Sequence, residues 1–285
     1  METEPLNQDN KFEFPAKKRR TLLIIIIASI IIIVALTLIL YFTLRKEDSD
    51  NDNDNFPINK IIKEGPEIDL IPKSGKFDYI FIFMHGMFGK PEDYIETFNK
   101  KDGPIPENFK IILPGAKLEY VTRIGSNISS WFDVLGNDGD VILESDIVFE
   151  DLDKSGDRIK KIIREEVVNV NNDYRRIFIG GFSQGACLSF HVGLSFEYTL
   201  GGVATFCGIP VNKTQIRENR EELNILSIAG GKDIYFPLEY LTNRTNIILK
   251  NFKNLTLIPF LNEEHAVTSV GLIEVKKFVN SLLWT

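Results

Sequence analysis

Residues 176–194 read RIFIGGFSQGACLSFHVGL: an apolar run, two glycines, a serine between small turns, then a second apolar run. Arg176-Ile-Phe-Ile179 has the β-branched and aromatic content of a strand and stops at Gly180-Gly181. The residues after Ser183 predict a helix over 184–196. Between the two, Gly181-Phe-Ser183-Gln-Gly185 fits G-x-S-x-G, in which a sharp strand-to-helix turn lifts a serine above the sheet edge. Glycine is required at both ends of that turn because a side chain there would collide with the neighbouring strand or helix. Ser183 is therefore a candidate nucleophile.

The same alternation extends along the chain. Tyr79-Ile-Phe-Ile-Phe-Met84, bounded by Asp78 and His85-Gly86, predicts a strand buried on both faces. Phe109-Lys-Ile-Ile-Leu113 closes at Pro114-Gly115. Ile147, Leu152, Ile159, Ile162, Ile163, Val167 and Val168 recur at mostly helical spacing and predict a helix within 147–170. Further strands are expected near 202–207, 224–229 and 254–260. A last helix over 267–283 would carry Leu272, Val275, Phe278, Val279 and Leu282 on one face. Strands alternating with amphipathic helices predict the α/β class, with a mostly parallel central sheet and helices on both of its faces.

A serine hydroxyl is a poor nucleophile until a positioned base takes its proton. The chain has three histidines. His191 lies two turns into the helix after Ser183 and reads as a core or surface residue, while His85 follows the first long strand and suits another role. His265, between the strand ending near Phe260 and the last helix, is the candidate base. Asp233, in Gly230-Gly-Lys-Asp233, follows the strand at 224–229 and could hold the imidazole in one tautomer. Glu263 and Glu264 are rivals, although residues next to His265 reach round to its ring poorly. Acyl transfer also needs donors for a developing oxyanion. The backbone N–H of Gln184 is one, and the loop His85-Gly86-Met87 should supply the second.

With these residues in order, the chain from about 75 to 283 resembles the acyl-protein thioesterase, lysophospholipase and carboxylesterase group of α/β hydrolases. The resemblance rests on His85-Gly-Met-Phe-Gly89, on Ser130-Trp-Phe-Asp133 preceded by Pro114-Gly-Ala116, on G-F-S-Q-G at 181–185, and on Gly230-Gly-Lys-Asp233 with Pro237. It implies an α/β-hydrolase fold, a catalytic triad of Ser183, Asp233 and His265, and an oxyanion hole of Met87 and Gln184. His85, Gly86, Trp131 and Phe182 would contact substrate. No metal or organic cofactor is implied. The expected activity is hydrolysis of carboxylic esters or thioesters, with an acyl lipid or lipidated protein as substrate. The chain departs from the group just before its histidine, where Asn262-Glu-Glu264 replaces a glycine. A reading of a different class, a non-catalytic membrane-tethered binding module on the same fold, would need the serine to be inert.

Composition narrows the alternatives. Among 285 residues, 33 are basic and 40 acidic, for a net charge of −7, which gives no phosphate-neutralising surface and excludes a generic nucleic-acid binder. Two cysteines, Cys187 and Cys207, make no disulfide scaffold and are expected as unpaired core thiols. The apolar residues are unevenly spread. Residues 21–44 contain no charged side chain and, as a helix, would extend about 36 Å, enough to span a hydrocarbon core of about 30 Å. Lys17, Lys18, Arg19 and Arg20 precede this run, whereas Arg45 and Lys46 lead into Glu47, Asp48, Asp50, Asp52 and Asp54. That bias predicts a cytoplasmic tail (1–20), a signal-anchor helix (21–44), an acidic flexible linker (45–59) and a lumenal or extracellular catalytic domain (60–285). Sequons begin at Asn127, Asn212, Asn243 and Asn254.

Overall fold

Every side chain of Tyr79–Met84 is buried, and the strand they form lies within an eight-stranded sheet. The computed structural model describes residues 59–136 and 139–283, all of them within the unit Phe56–Thr285. Its strands are β1 (Asn59–Glu64), β2 (Glu67–Pro72), β3 (Tyr79–Met84), β4 (Phe109–Pro114), β5 (Lys117–Val121), β6 (Ser126–Ser130), β7 (Ile177–Phe182), β8 (Gly202–Phe206), β9 (Ile225–Gly230) and β10 (Leu255–Phe260). The helices are α1 (Ile95–Phe98), α2 (Phe149–Glu166), α3 (Gln184–Ser195), α4 (Leu238–Ile248) and α5 (Ser269–Ser281). The expected tail, the expected span at 21–44 and the linker up to residue 58 lie outside the described residues. Among the described residues, no helix is long and apolar enough to cross a membrane.

The strand order is β1-β2-β4-β3-β7-β8-β9-β10, and β5 pairs with β6 in a separate hairpin. From β4 to β10 all pairings in the large sheet are parallel. At one end β2 pairs antiparallel with β4, and β1 antiparallel with β2. Two antiparallel steps turn β1 back into the direction of the parallel strands. Its first residue, Asn59, opposite Pro72, therefore lies at their amino ends.

Period-two alternation divides β3 between two cores. Ile80, Ile82 and Met84 pack with Leu152, Ile159 and Ile163 of α2, with Leu188 of α3 and with Leu241 of α4. Tyr79, Phe81 and Phe83 face the other way, against Phe98 of α1 and Val275 and Val279 of α5. Helices cover both faces, as the alternation implied. Each fully buried phenylalanine contributes roughly 1.5–3 kcal/mol. The helix expected within 147–170 ends as an α-helix at Glu166 and tightens into a 3-10 turn over Val167–Val170. Asn171 and Asn172, with φ of 59° and 58°, then break it.

Helix α3 is buried along its whole length, including His191. Gly156 of α2 makes room for that ring, since a Cβ there would lie 2.6 Å from His191 Cδ2. The imidazole meets Thr214 Oγ1 at 3.0 Å and Asp153 Oδ1 at 3.2 Å. Burial, with Lys160 adding to it, pushes its pKa down to about 4. The folded ring thus stays neutral where the unfolded one takes up a proton. Stability from this group is complete above about pH 6.5 and is lost as pH falls towards 4, by on the order of 3 kcal/mol. Urea unfolding of wild type from pH 7.5 to 4.5 should steepen with acid more than that of His191→Gln. Parallel profiles would show that the ring is not held neutral.

Candidate active site

Three loops and one turn meet at the carboxyl ends of the parallel strands, where open α/β sheets bind ligands. The turn joins β7 to α3. Ser183 takes φ 57° and ψ −117°, a strained conformation for a residue with a side chain, and its N–H donates to the Phe206 carbonyl at 2.9 Å. The turn closes only because its flanks are bare. A Cβ on Gly181 would lie 2.4 Å from the Gly185 carbonyl, and one on Gly185 only 2.1 Å from the Met84 carbonyl oxygen.

The second loop follows β9 and the third follows β10. Backbone bonds from Gly231 to Phe260 and from Lys232 to Glu263, both 2.9 Å, lace them together. Asp233 and His265 are thereby brought into register. His265 Nδ1 lies 2.7 Å from Asp233 Oδ2, and His265 Nε2 lies 2.8 Å from Ser183 Oγ. The other carboxylate oxygen, Asp233 Oδ1, accepts from the N–H groups of Tyr235 and Phe236, each at 2.9 Å. The Asp233 side chain is fully buried and that of His265 is 15% exposed. Rings of Phe182, Tyr235 and Phe236 surround the imidazole at centroid distances of 4.7, 5.0 and 6.1 Å. With a carboxylate accepting at Nδ1, the proton sits there and Nε2 is free to accept from the serine. The partner of His265 is Asp233, not Glu263 or Glu264.

Cys207, one residue beyond β8, lies behind this pair with its Sγ 4.0 and 3.9 Å from the carbonyls of Glu264 and Ala266. Its thiol, Asp233 and His265 have donor atoms within 4.8 Å of one another and could hold a metal ion. The short Asp233–His265 bond already occupies two of those donors. Burial and the neighbouring Asp233 push the thiol up to about 12, so it stays protonated. Cys187 is likewise free, buried and pushed up to about 12 by that burial.

The first loop follows β3. Its Gly86 lies against Ser183, since a Cβ there would be 3.2 Å from Ser183 Cβ and 2.9 Å from the Phe182 ring. His85 is 1% exposed, and burial lowers its pKa. The Ala116 N–H donates to His85 Nε2 at 3.0 Å, leaving the proton on Nδ1, which donates to the Gly86 carbonyl at 2.7 Å. Trp131 is 3% exposed, with its indole N–H donating to the His85 carbonyl at 2.8 Å. The polar atoms of these two residues, both expected to contact substrate, are engaged within the protein. The sequence offered no sign that the Gln184 side chain or Cys207 belongs to the site's surroundings.

Comparison with known proteins agrees with this architecture. The family model described as Phospholipase/Carboxylesterase matches residues 67–283. Acyl-protein thioesterase 1 of Eremothecium gossypii is 30% identical over 135 residues, covering 46% of this chain and 55% of that protein. The protein of the same name from Debaryomyces hansenii is 24% identical over 212 residues, covering 71% of this chain and 90% of the relative. The crystal structure of Zea mays acyl-protein thioesterase 2 superposes with a TM-score of 0.63 at 20% identity, over 76% of this chain and 99% of that one, a likeness of fold. By the extent of the family match, the chain belongs to the Phospholipase/Carboxylesterase family and is a hydrolase of ester or thioester bonds.

Proposed function

We propose that Ser183, His265 and Asp233 act as a catalytic triad in a serine hydrolase of acyl esters or acyl thioesters. The observation that carries this reading is the unbroken hydrogen-bonded chain from Ser183 Oγ through His265 to Asp233, at 2.8 and 2.7 Å. In the first half-reaction His265 Nε2 takes the serine proton as Oγ attacks the acyl carbon. The imidazolium then protonates the departing alcohol or thiol. Water attacks the acyl-enzyme in the second half, with His265 again as the base. Asp233 keeps the proton on Nδ1 and stabilises the imidazolium within an apolar ring of Phe182, Tyr235 and Phe236. The oxyanion of each tetrahedral intermediate would sit between the N–H groups of Met87 and Gln184.

An acyl lipid or a lipidated protein is the substrate class we favour, supported by the names of the relatives, acyl-protein thioesterases. We further infer that residues 21–44 anchor the chain in a bilayer with the hydrolase domain lumenal or extracellular. The uncharged 24-residue run and the four basic residues before it support this topology. Exposure of all four sequon asparagines, Asn127, Asn212, Asn243 and Asn254, is compatible with it. Tethering would raise the local concentration of membrane-borne acyl substrates.

Wild-type protein should react stoichiometrically with a fluorophosphonate, and Ser183→Ala should not. Equal labelling of the two would exclude Ser183 as nucleophile. Asp233→Asn, which presents the wrong tautomer of His265, should lower kcat by about 10³-fold or more; a loss under tenfold would remove Asp233 from the triad. In sealed microsomes, protease added outside should spare the domain beyond residue 60 until detergent is present. Digestion without detergent would place that domain on the cytoplasmic side.

A further inference from the structure

Two donors must converge on one oxygen if an oxyanion hole is to work, with heavy-atom distances near 2.7–3.1 Å from the oxyanion (about 3 Å). Here they belong to different elements: Met87 follows β3, and Gln184 opens α3. The segment just after β6 is bonded to both. On the α3 side, the Trp131 backbone N–H donates to Gln184 Oε1 at 3.0 Å, and Gln184 Nε2 donates to the Phe132 carbonyl at 3.0 Å. Ser130 Oγ lies 3.1 Å from Gln184 Oε1 and 3.0 Å from Nε2. On the β3 side, the Trp131 indole donates to the His85 carbonyl at 2.8 Å, and the Phe88 N–H donates to the Ser129 carbonyl at 2.9 Å.

The loop is also fixed in rotation. His85 Nδ1 holds the Gly86 carbonyl at 2.7 Å, and among the described residues there is no cis peptide bond. In a trans peptide the carbonyl and the following N–H point in opposite directions. Holding the Gly86 oxygen therefore aims the Met87 N–H away from the His85 ring. Ser130, Trp131, His85 and Gln184 are all buried, so these bonds are shielded from competing water.

We propose that Trp131 and the Gln184 side chain form a strut that sets the separation of the two oxyanion donors. Trp131 is thereby a positioning residue, joined to the Gln184 side through its backbone and to the Met87 side through its indole. The proposal rests on the serine-hydrolase reading above. Misplacement of a donor by about 1 Å costs on the order of 10²-fold in rate, whereas ground-state binding of the acyl group depends far less on the donors' spacing.

Trp131→Phe keeps an aromatic ring over His85 but removes the indole N–H. Gln184→Met keeps the length of the side chain but removes its amide. In both variants Ser183 is counted by labelling to completion with a fluorophosphonate, so that any unfolded fraction drops out of kcat. The strut predicts that each variant loses about 10- to 100-fold in kcat per labelled site, with KM changed less than threefold. The double variant should lose little more than the worse single one, because both break the same connection. A kcat per site within threefold of wild type in both single variants would overturn the strut while leaving the triad intact. Loss confined to KM would overturn it too, by making Trp131 a binding residue. Wild type that fails to label would remove the underlying reading instead.

Discussion

The active site depends on a contact between two backbones. Where α3 leaves β7, its first turn rests on the end of β3 so closely that a Cβ on Gly185 would sit 2.1 Å from the Met84 carbonyl oxygen. No side chain can be inserted there without separating helix from strand. That approach brings the N-terminus of α3 beside the loop that follows β3, and it holds Ser183 in its strained conformation with φ at 57° and ψ at −117°. The strain is held by α3, buried on every side, and by the bond from the Ser183 N–H to Phe206 on β8. Ser183 and the loop after β3 are thus placed by one packing constraint.

Asp233 and His265 are placed by a different device. Their loops leave neighbouring parallel strands, β9 and β10, and are laced by main-chain bonds before either side chain is considered. Asp233 then spends one carboxylate oxygen on two backbone N–H groups and the other on His265. A buried carboxylate would otherwise be costly, and three donors offset its desolvation.

Much of this was legible along the chain because it is encoded locally. Predominantly apolar runs mark β3, β4, β7 and β9, and the bare flanks of Ser183 mark the turn. Chain order then left one histidine and one well-placed aspartate. The hairpins were harder to see. β1 is an exposed edge strand with the sequence NKIIKE, and β5 is exposed at four of its five residues, so neither has an apolar run to announce it. Trp131 defeats sequence reading for another reason: its partners lie 46 and 53 residues away, and aromatic residues near a nucleophile read equally well as substrate contacts. Gln184 is similar. Its backbone role follows from the motif, whereas its side-chain role needs the three-dimensional position of Ser130 and Phe132. The span at 21–44 stands on sequence alone.

The course of the outermost strand has a practical meaning. Because β1 runs with the parallel strands, Asn59 enters at their amino ends, while Ser183, Asp233 and His265 stand at the carboxyl ends. The length of the sheet separates the point of entry from these three residues. A surface or a bead attached at Asn59 itself is thus joined at the pole remote from Ser183, and immobilisation through that residue leaves the face bearing the serine open.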